Sequence, residues 1–194
     1  MVGWALGEIS EMEKTAMQWY NEPRLWEQSD NRVTVTTDPK TDFWRKTHYG
    51  FIRDNGHLFY QQVNGDFQAD VRFSGAYNAL YDQAGLMVRI DEAHWVKCGV
   101  EFVNGVQHAS AVVTRDYSDW SVLPLPGNPP EFWLRVTRHD AVIEVFYSLD
   151  GSDYTMIRTA HLSAVDTADI GLMCASPEGG GFRVTFEGFT VRSH

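Results

Sequence analysis

A chain of 194 residues carrying 16 lysines and arginines against 26 aspartates and glutamates, formal net charge −10, has the size of one domain able to bury a core without staples. That excess of negative charge excludes nucleic acid and anionic membrane surfaces as partners, and the longest apolar runs fall well short of the about 20 residues that cross a bilayer. MVGWALGEISEMEK has neither a basic start nor an apolar h-region, so the expectation is a cytoplasmic protein.

Residues 1–16 are acidic and weakly patterned and read as an N-terminal appendage, at most a short helix, ahead of a single domain over 17–194. From Val33 onward the chain becomes a series of period-2 segments: VTVTT, HLFYQQV, DFQADVRFS, QAGLMVRI, HWVKCGVEFV and VQHASAVVT, then FWLRVTR, AVIEVFYS, YTMIRTAHL, ADIGLMC and FRVTFEGFTV. Asn55-Gly56, Asn64-Gly65, Asn104-Gly105, Asp150-Gly151 and the run from Glu178 to Gly181 supply turn residues between them. Frequent short strands with almost no helical periodicity predict an all-β antiparallel sandwich or jelly roll. TRDYSDWS reads as a loop and PLPGNPPE as a rigid proline-rich one. Cys98 and Cys174 sit in apolar strand patterns without a C-x-x-C or His-rich cluster, so they read as buried reduced thiols, and neither a metal nor another cofactor is expected.

Asn104-Gly105 is the strongest hairpin signal and fixes a register. With Val103 facing Val106, Glu101 lies opposite His108, Gly99 opposite Ser110, Lys97 opposite Val112 and Trp95 opposite Thr114. The other face pairs Phe102 with Gln107, Val100 with Ala109, Cys98 with Ala111 and Val96 with Val113, which is a core face. The preceding strand joins with Arg89 opposite Trp95 and Gln83 opposite Glu101, because the register two residues away sets Arg89 against Lys97. The non-core face then carries four rows: Gln83, Glu101, His108; Gly85, Gly99, Ser110; Met87, Lys97, Val112; and Arg89, Trp95, Thr114. The glycine-serine row reads as a trough flanked by polar groups and by Lys97 and Trp95. Three plainer alternatives stay open: glycines that mark a bend, an exposed Glu–His pair, and aromatics that form core under a covering segment.

The stretches TTDPKTDFWRKTHYGFIRDNGH, YDQAGLMVRIDEAHWVKCGVEFVNG, SAVVTRDYSDWS, FWLRVTR, SLDGSDY and GLMCASPEGGGF resemble an uncharacterised bacterial family that also includes the fungal regulation-of-enolase protein, among the concanavalin A-like lectins and glucanases. The likeness spans Met17 to Arg192. It implies a concanavalin A-like two-sheet jelly roll with its site on the concave sheet. It also brings three further segments near the trough: Trp44, His48 and Tyr49; Tyr81 and Asp82; and Arg115, Asp116, Ser118, Asp119 and Trp120. Asp116 and Asp119 read as Asx-turn residues, Trp44 and Trp120 as an aromatic platform. Trp133 and Arg135 are candidates to widen the same surface.

The glucanases of this fold carry an E-x-D-x-E strand, whereas VKCGVEF offers Glu101 alone, with Asp70, Asp82 and Glu187 unplaced by any motif. There is no nucleophile elbow or phosphate-cradling loop, so catalysis lacks support, and Glu101 with His108 is the one acid–base pair in view. Binding of a carbohydrate or similar polar small molecule fits the residue types better: rings cover the apolar face of a pyranose while Gln83, Arg89, Lys97, Glu101 and His108 address hydroxyls or a uronate carboxylate. Arg89 and Lys97 bias that expectation towards an acidic sugar. The competing expectation is a protein partner, for a cytosolic interaction or regulatory module.

Overall fold

The computed structural model describes residues 16–194, so the appendage expected at the N-terminus lies, Ala16 apart, outside the described residues. These fold into β1 (Gln18–Tyr20), β2 (Leu25–Ser29), β3 (Arg32–Thr36), β4 (Phe43–Arg45), β5 (Ile52–Asp54), β6 (His57–Asn64), β7 (Phe67–Gly75) and β8 (Gln83–Arg89). There follow β9 (His94–Val103), β10 (Val106–Arg115), β11 (Tyr117–Pro124), β12 (Phe132–His139), β13 (Val142–Ser148), β14 (Thr155–His161), β15 (Thr167–Ala175) and β16 (Arg183–Ser193). One seven-stranded sheet runs β1-β6-β15-β8-β9-β10-β11, the other β14-β13-β12-β7-β16-β3-β2, and β4-β5 is a separate hairpin. The fold is an all-β, antiparallel two-sheet jelly-roll sandwich. No described helix is long and apolar enough to cross a membrane.

Strand alternation builds the core between the sheets. Leu86, Val88, Val96, Val100, Ala111 and Val113 face Val71, Phe73, Phe132, Leu134, Val136 and Phe186. Each large side chain here contributes about 1.5–3 kcal/mol by leaving water. Cys98 and Cys174 are free and buried in this layer, where loss of hydration pushes both thiols up.

The Asn104-Gly105 turn holds both residues at positive φ, 51° and 85°, as type I′ requires. The register follows: Glu101 pairs with His108, Gly99 with Ser110, Lys97 with Val112 and Trp95 with Thr114, while Gln83 pairs with Glu101 and Arg89 with Trp95. The glycine row has a second cause beyond forming a trough. A Cβ on Gly85 would lie 1.9 Å from the Cys98 carbonyl oxygen, and Gly99, at φ 146°, would put one 2.1 Å from the Ala84 carbonyl oxygen. The strands cross so closely there that only glycine fits.

Two expectations need correction. TRDYSDWS is not a loop, because only Asp116 (φ 64°) turns the chain, and β11 pairs back along β10 with Trp120 opposite Val112. As an edge strand with most side chains exposed, it lacks the apolar alternation that marks its neighbours. Trp133 and Arg135 lie on β12 in the other sheet, where Arg135 pairs with Asp70 at 2.7 Å and stacks over Tyr154, so they do not extend the face of β8–β10.

Candidate functional site

The outer face of β8, β9 and β10 divides along its length. At one end Met87, Trp95 and Val112 project with Leu58 and Met173 of β6 and β15, an apolar surface that must be covered. The β4–β5 hairpin covers it with Phe43 and Trp44, and together these form a second hydrophobic core in which Trp95 is only 1% exposed. Ion pairs clamp the hairpin down. Arg89 donates two hydrogen bonds to Asp54, at 2.9 and 3.0 Å, under a Tyr20 ring whose hydroxyl donates to the same carboxylate at 2.7 Å. Lys97 donates to Asp42 Oδ1 at 3.1 Å and to the Phe43 carbonyl at 2.6 Å. At the far end Arg45 and Lys46 bind Asp116, and Ser118 Oγ accepts from the Arg45 amide at 2.9 Å. Asp116 thereby anchors the hairpin rather than serving as a turn residue alone, and the two cations hold its carboxyl below the usual range.

At the other end of the same face the hairpin stops short, and a cavity of about 140 Å³ opens. Its walls are the rings of Trp44, Tyr49, Phe51, Tyr81 and Trp120, its polar lining is Asp42, Gln83, Lys97 and Glu101, and Pro177 and Glu178 complete the rim. The rings brace one another: Trp44 lies edge-on to Tyr49, Tyr49 stacks on Phe51 at 5.4 Å, and Tyr81 lies edge-on to Trp120 at 6.1 Å. The hydroxyls of Tyr49 and Tyr81 are 3.4 Å apart, and that contact, followed by burial, raises the Tyr81 phenol to about 12. Glu101, 7% exposed, accepts at Oε2 from Ser110 Oγ at 2.8 Å and from the Trp120 indole at 2.7 Å. Burial raises its pKa above the usual glutamate range, while Lys97 and these two donors oppose the rise.

The eleven sequence candidates divide accordingly. Trp44, Tyr81, Gln83, Lys97, Glu101 and Trp120 line the cavity, and Ser110 reaches it through Glu101. Arg89 and Trp95 share the face but lie under the hairpin, shut away from the cavity lining. His48 is exposed and packs edge-on against Tyr49 from outside, and His108 turns Nδ1 to the Val106 carbonyl at 2.9 Å rather than to Glu101. The proposed Glu–His pair is therefore not assembled. Asp82, also a candidate, is spent on the amides of Asn78 and Ala79 and on Ser176 Oγ. Sequence reasoning missed Asp42, Phe51, Pro177 and Glu178. A signal for Asp42 existed, since a lysine set between Met87 and Val112 on a covered face requires an acid above it.

A model for a protein family of unknown function, DUF1349, matches residues 19–194. The chain belongs to the DUF1349 family. Its similarity to Regulation of enolase protein 1 of Saccharomyces cerevisiae is 43% identity over 173 residues, 89% of this chain and 87% of that protein. A solved structure of a functionally unknown protein from Saccharomyces cerevisiae superposes with a TM-score of 0.88 at 42% identity, covering 92% of this chain and 96% of that one. A mutant of the GH43 protein BlXynB from Bacillus licheniformis superposes with a TM-score of 0.72, but at 13% identity and over 37% of its own length, a likeness of fold alone.

In this DUF1349 chain the cavity is small. Its volume is below the about 300–1,000 Å³ of pockets for drug-sized molecules, so it admits one small polar unit or the end of a longer chain. Among the described residues no cluster of histidine, cysteine or carboxylate side chains could hold a metal.

Proposed function

We propose that this DUF1349 protein binds a small polar ligand, with carbohydrate as the leading class, in the cavity between the β4–β5 hairpin and the Gln83–Glu101 end of the outer face of β8–β10. The observation that carries this reading is the combination of five aromatic rings around a polar lining. Flat rings offer an apolar face to the C–H side of a sugar, and buried polar groups address its hydroxyls. The acidic-sugar bias expected from Arg89 and Lys97 has lost its basis, since both cations are engaged by Asp54 and Asp42. An oligosaccharide array combined with thermal-shift screening tests the reading. It expects a ligand whose binding disappears in Trp44→Ala and in Glu101→Ala, and silence across neutral, acidic and amino glycans contradicts it.

A second reading is favoured by the 43% identity to Regulation of enolase protein 1: a cytoplasmic regulatory module that acts through a protein partner. Affinity capture from the native cell separates the two. A stoichiometric partner retained by Trp44→Ala and Glu101→Ala variants supports the regulatory module, and loss of that partner on the same substitutions ties partner and cavity together.

A further inference from the structure

The cavity's polar groups are unbalanced. Asp42 receives the Phe43 amide, the Gln83 amide nitrogen and Lys97 all on Oδ1, and Oδ2 has no protein donor among the described residues. Glu101 likewise uses Oε2 for both of its donors and leaves Oε1 without one. The amide nitrogen of Gln83 faces two acceptors, Asp42 Oδ1 and the Tyr81 carbonyl. That network fixes the orientation of the amide and leaves its oxygen as a third acceptor without a protein donor. Gln83 and Glu101 are only 4% and 7% exposed, yet none of these three oxygens is cut off from solvent, and all three residues line the cavity, where a ligand's donors could meet them.

The donors, by contrast, are largely spent. Lys97 gives two of its three protons to Asp42 and the Phe43 carbonyl, and the indoles of Trp44 and Trp120 donate to the Thr47 carbonyl and Glu101. Glu178 adds a third carboxylate at the rim, with Lys40 3.4 Å away and both side chains 60% exposed. An anionic ligand would meet three carboxylates and one ammonium that is already paired. A cation would meet those carboxylates in a cavity walled by aromatic rings, an arrangement suited to organic ammonium groups. The chain's net charge of −10 acts in the same direction at longer range.

We propose that the cavity selects a ligand bearing a protonated amine over its neutral and acidic counterparts, with small amino sugars as the class that joins this charge to a hydroxylated ring. The inference rests on the cavity being a site for a small polar ligand and adds the charge of that ligand.

Ligand-observed NMR titrations of the intact protein at neutral pH with glucosamine, glucose, glucuronate and ethanolamine provide the test. Glucosamine is expected to bind at least about tenfold tighter than glucose, as one additional charge-assisted hydrogen bond allows, with glucuronate weakest. Glu101→Gln should bring glucosamine and glucose level. Glu178→Gln, at an exposed position that leaves the fold intact, should narrow the gap without closing it. Glucose or glucuronate binding as tightly as glucosamine overturns the charge preference while leaving the carbohydrate reading in place. Ethanolamine binding without any sugar supports the charge preference and removes the carbohydrate reading. No binding by any of the four overturns both.

Discussion

The two ends of the outer face of β8–β10 are built from the same three strands in one continuous register, yet they have opposite characters. At the Met87–Arg89–Trp95 end the charge is paired and the ring is covered: Arg89 with Asp54, Trp95 beneath Phe43. At the Gln83–Glu101 end, Gln83 and Glu101 are as little exposed as Arg89, but they keep acceptor oxygens without protein donors among the described residues, and the rings stand around an open cavity. Burial alone therefore does not distinguish structure from site. What differs is whether the polar atoms are closed off by protein partners or left facing an open cavity.

That contrast predicts that substitutions at the covered end lower stability while those at the open end remove binding. The largest effect is expected from Trp95→Ala, which empties the centre of the second core and should cost about 3–5 kcal/mol in urea denaturation. A loss below 1 kcal/mol, on the order of an ordinary surface change, would mean that the hairpin does not depend on this core. Asp54→Ala comes next. It strands Arg89, whose side chain is 8% exposed, and because Asp54 is itself 24% exposed the cost should fall near the lower end of the roughly 3–5 kcal/mol typical of a broken buried pair. Loss of ligand binding should accompany it, because Asp54 belongs to the hairpin that carries Trp44.

Glu101 sharpens the comparison through pH. Its folded pKa is raised, so between the ordinary value of 4.5 and the folded value the native state holds a proton that the unfolded state has released. Stability from this group is complete below about 4.5 and is lost as pH rises through the folded pKa, at a slope of no more than about 1.4 kcal/mol per pH unit for a single proton. Glu101→Gln should remove that slope from a urea-denaturation series across pH; an unchanged slope would place it in another group. The smallest stability effect belongs to Trp120→Ala. Trp120 is 40% exposed, so stability should change by about 1 kcal/mol or less while binding to the cavity is lost.

Much of the sheet was legible in the sequence for a physical reason. Asn104-Gly105 admits few turn geometries, and once the turn is set, period-2 alternation assigns every side chain of β9 and β10 to a face. Like-charge repulsion between Arg89 and Lys97 then selected the register of β8. The hairpin was not legible. FWR and IRD are too short for alternation to register, and their position over the sheet depends on Asp42, Asp54 and Asp116 meeting cations distant in sequence. Trp44 and Trp120 entered as candidates by resemblance and do line the cavity, whereas Arg89 and Trp95 share its face but lie beneath a cover that no local pattern announces.

The measurement that tests the central claim most directly is a titration followed by the tryptophan indole N–H resonances. Trp120 and Trp44 line the cavity, while Trp95 belongs to the covered end of the same sheet and Trp133 to the other sheet, so the molecule carries its own controls. The account predicts that a binding amino sugar shifts the Trp120 and Trp44 signals along one saturable curve and leaves Trp95 and Trp133 in place. A ligand that moves Trp133 while Trp120 stays still would contradict it.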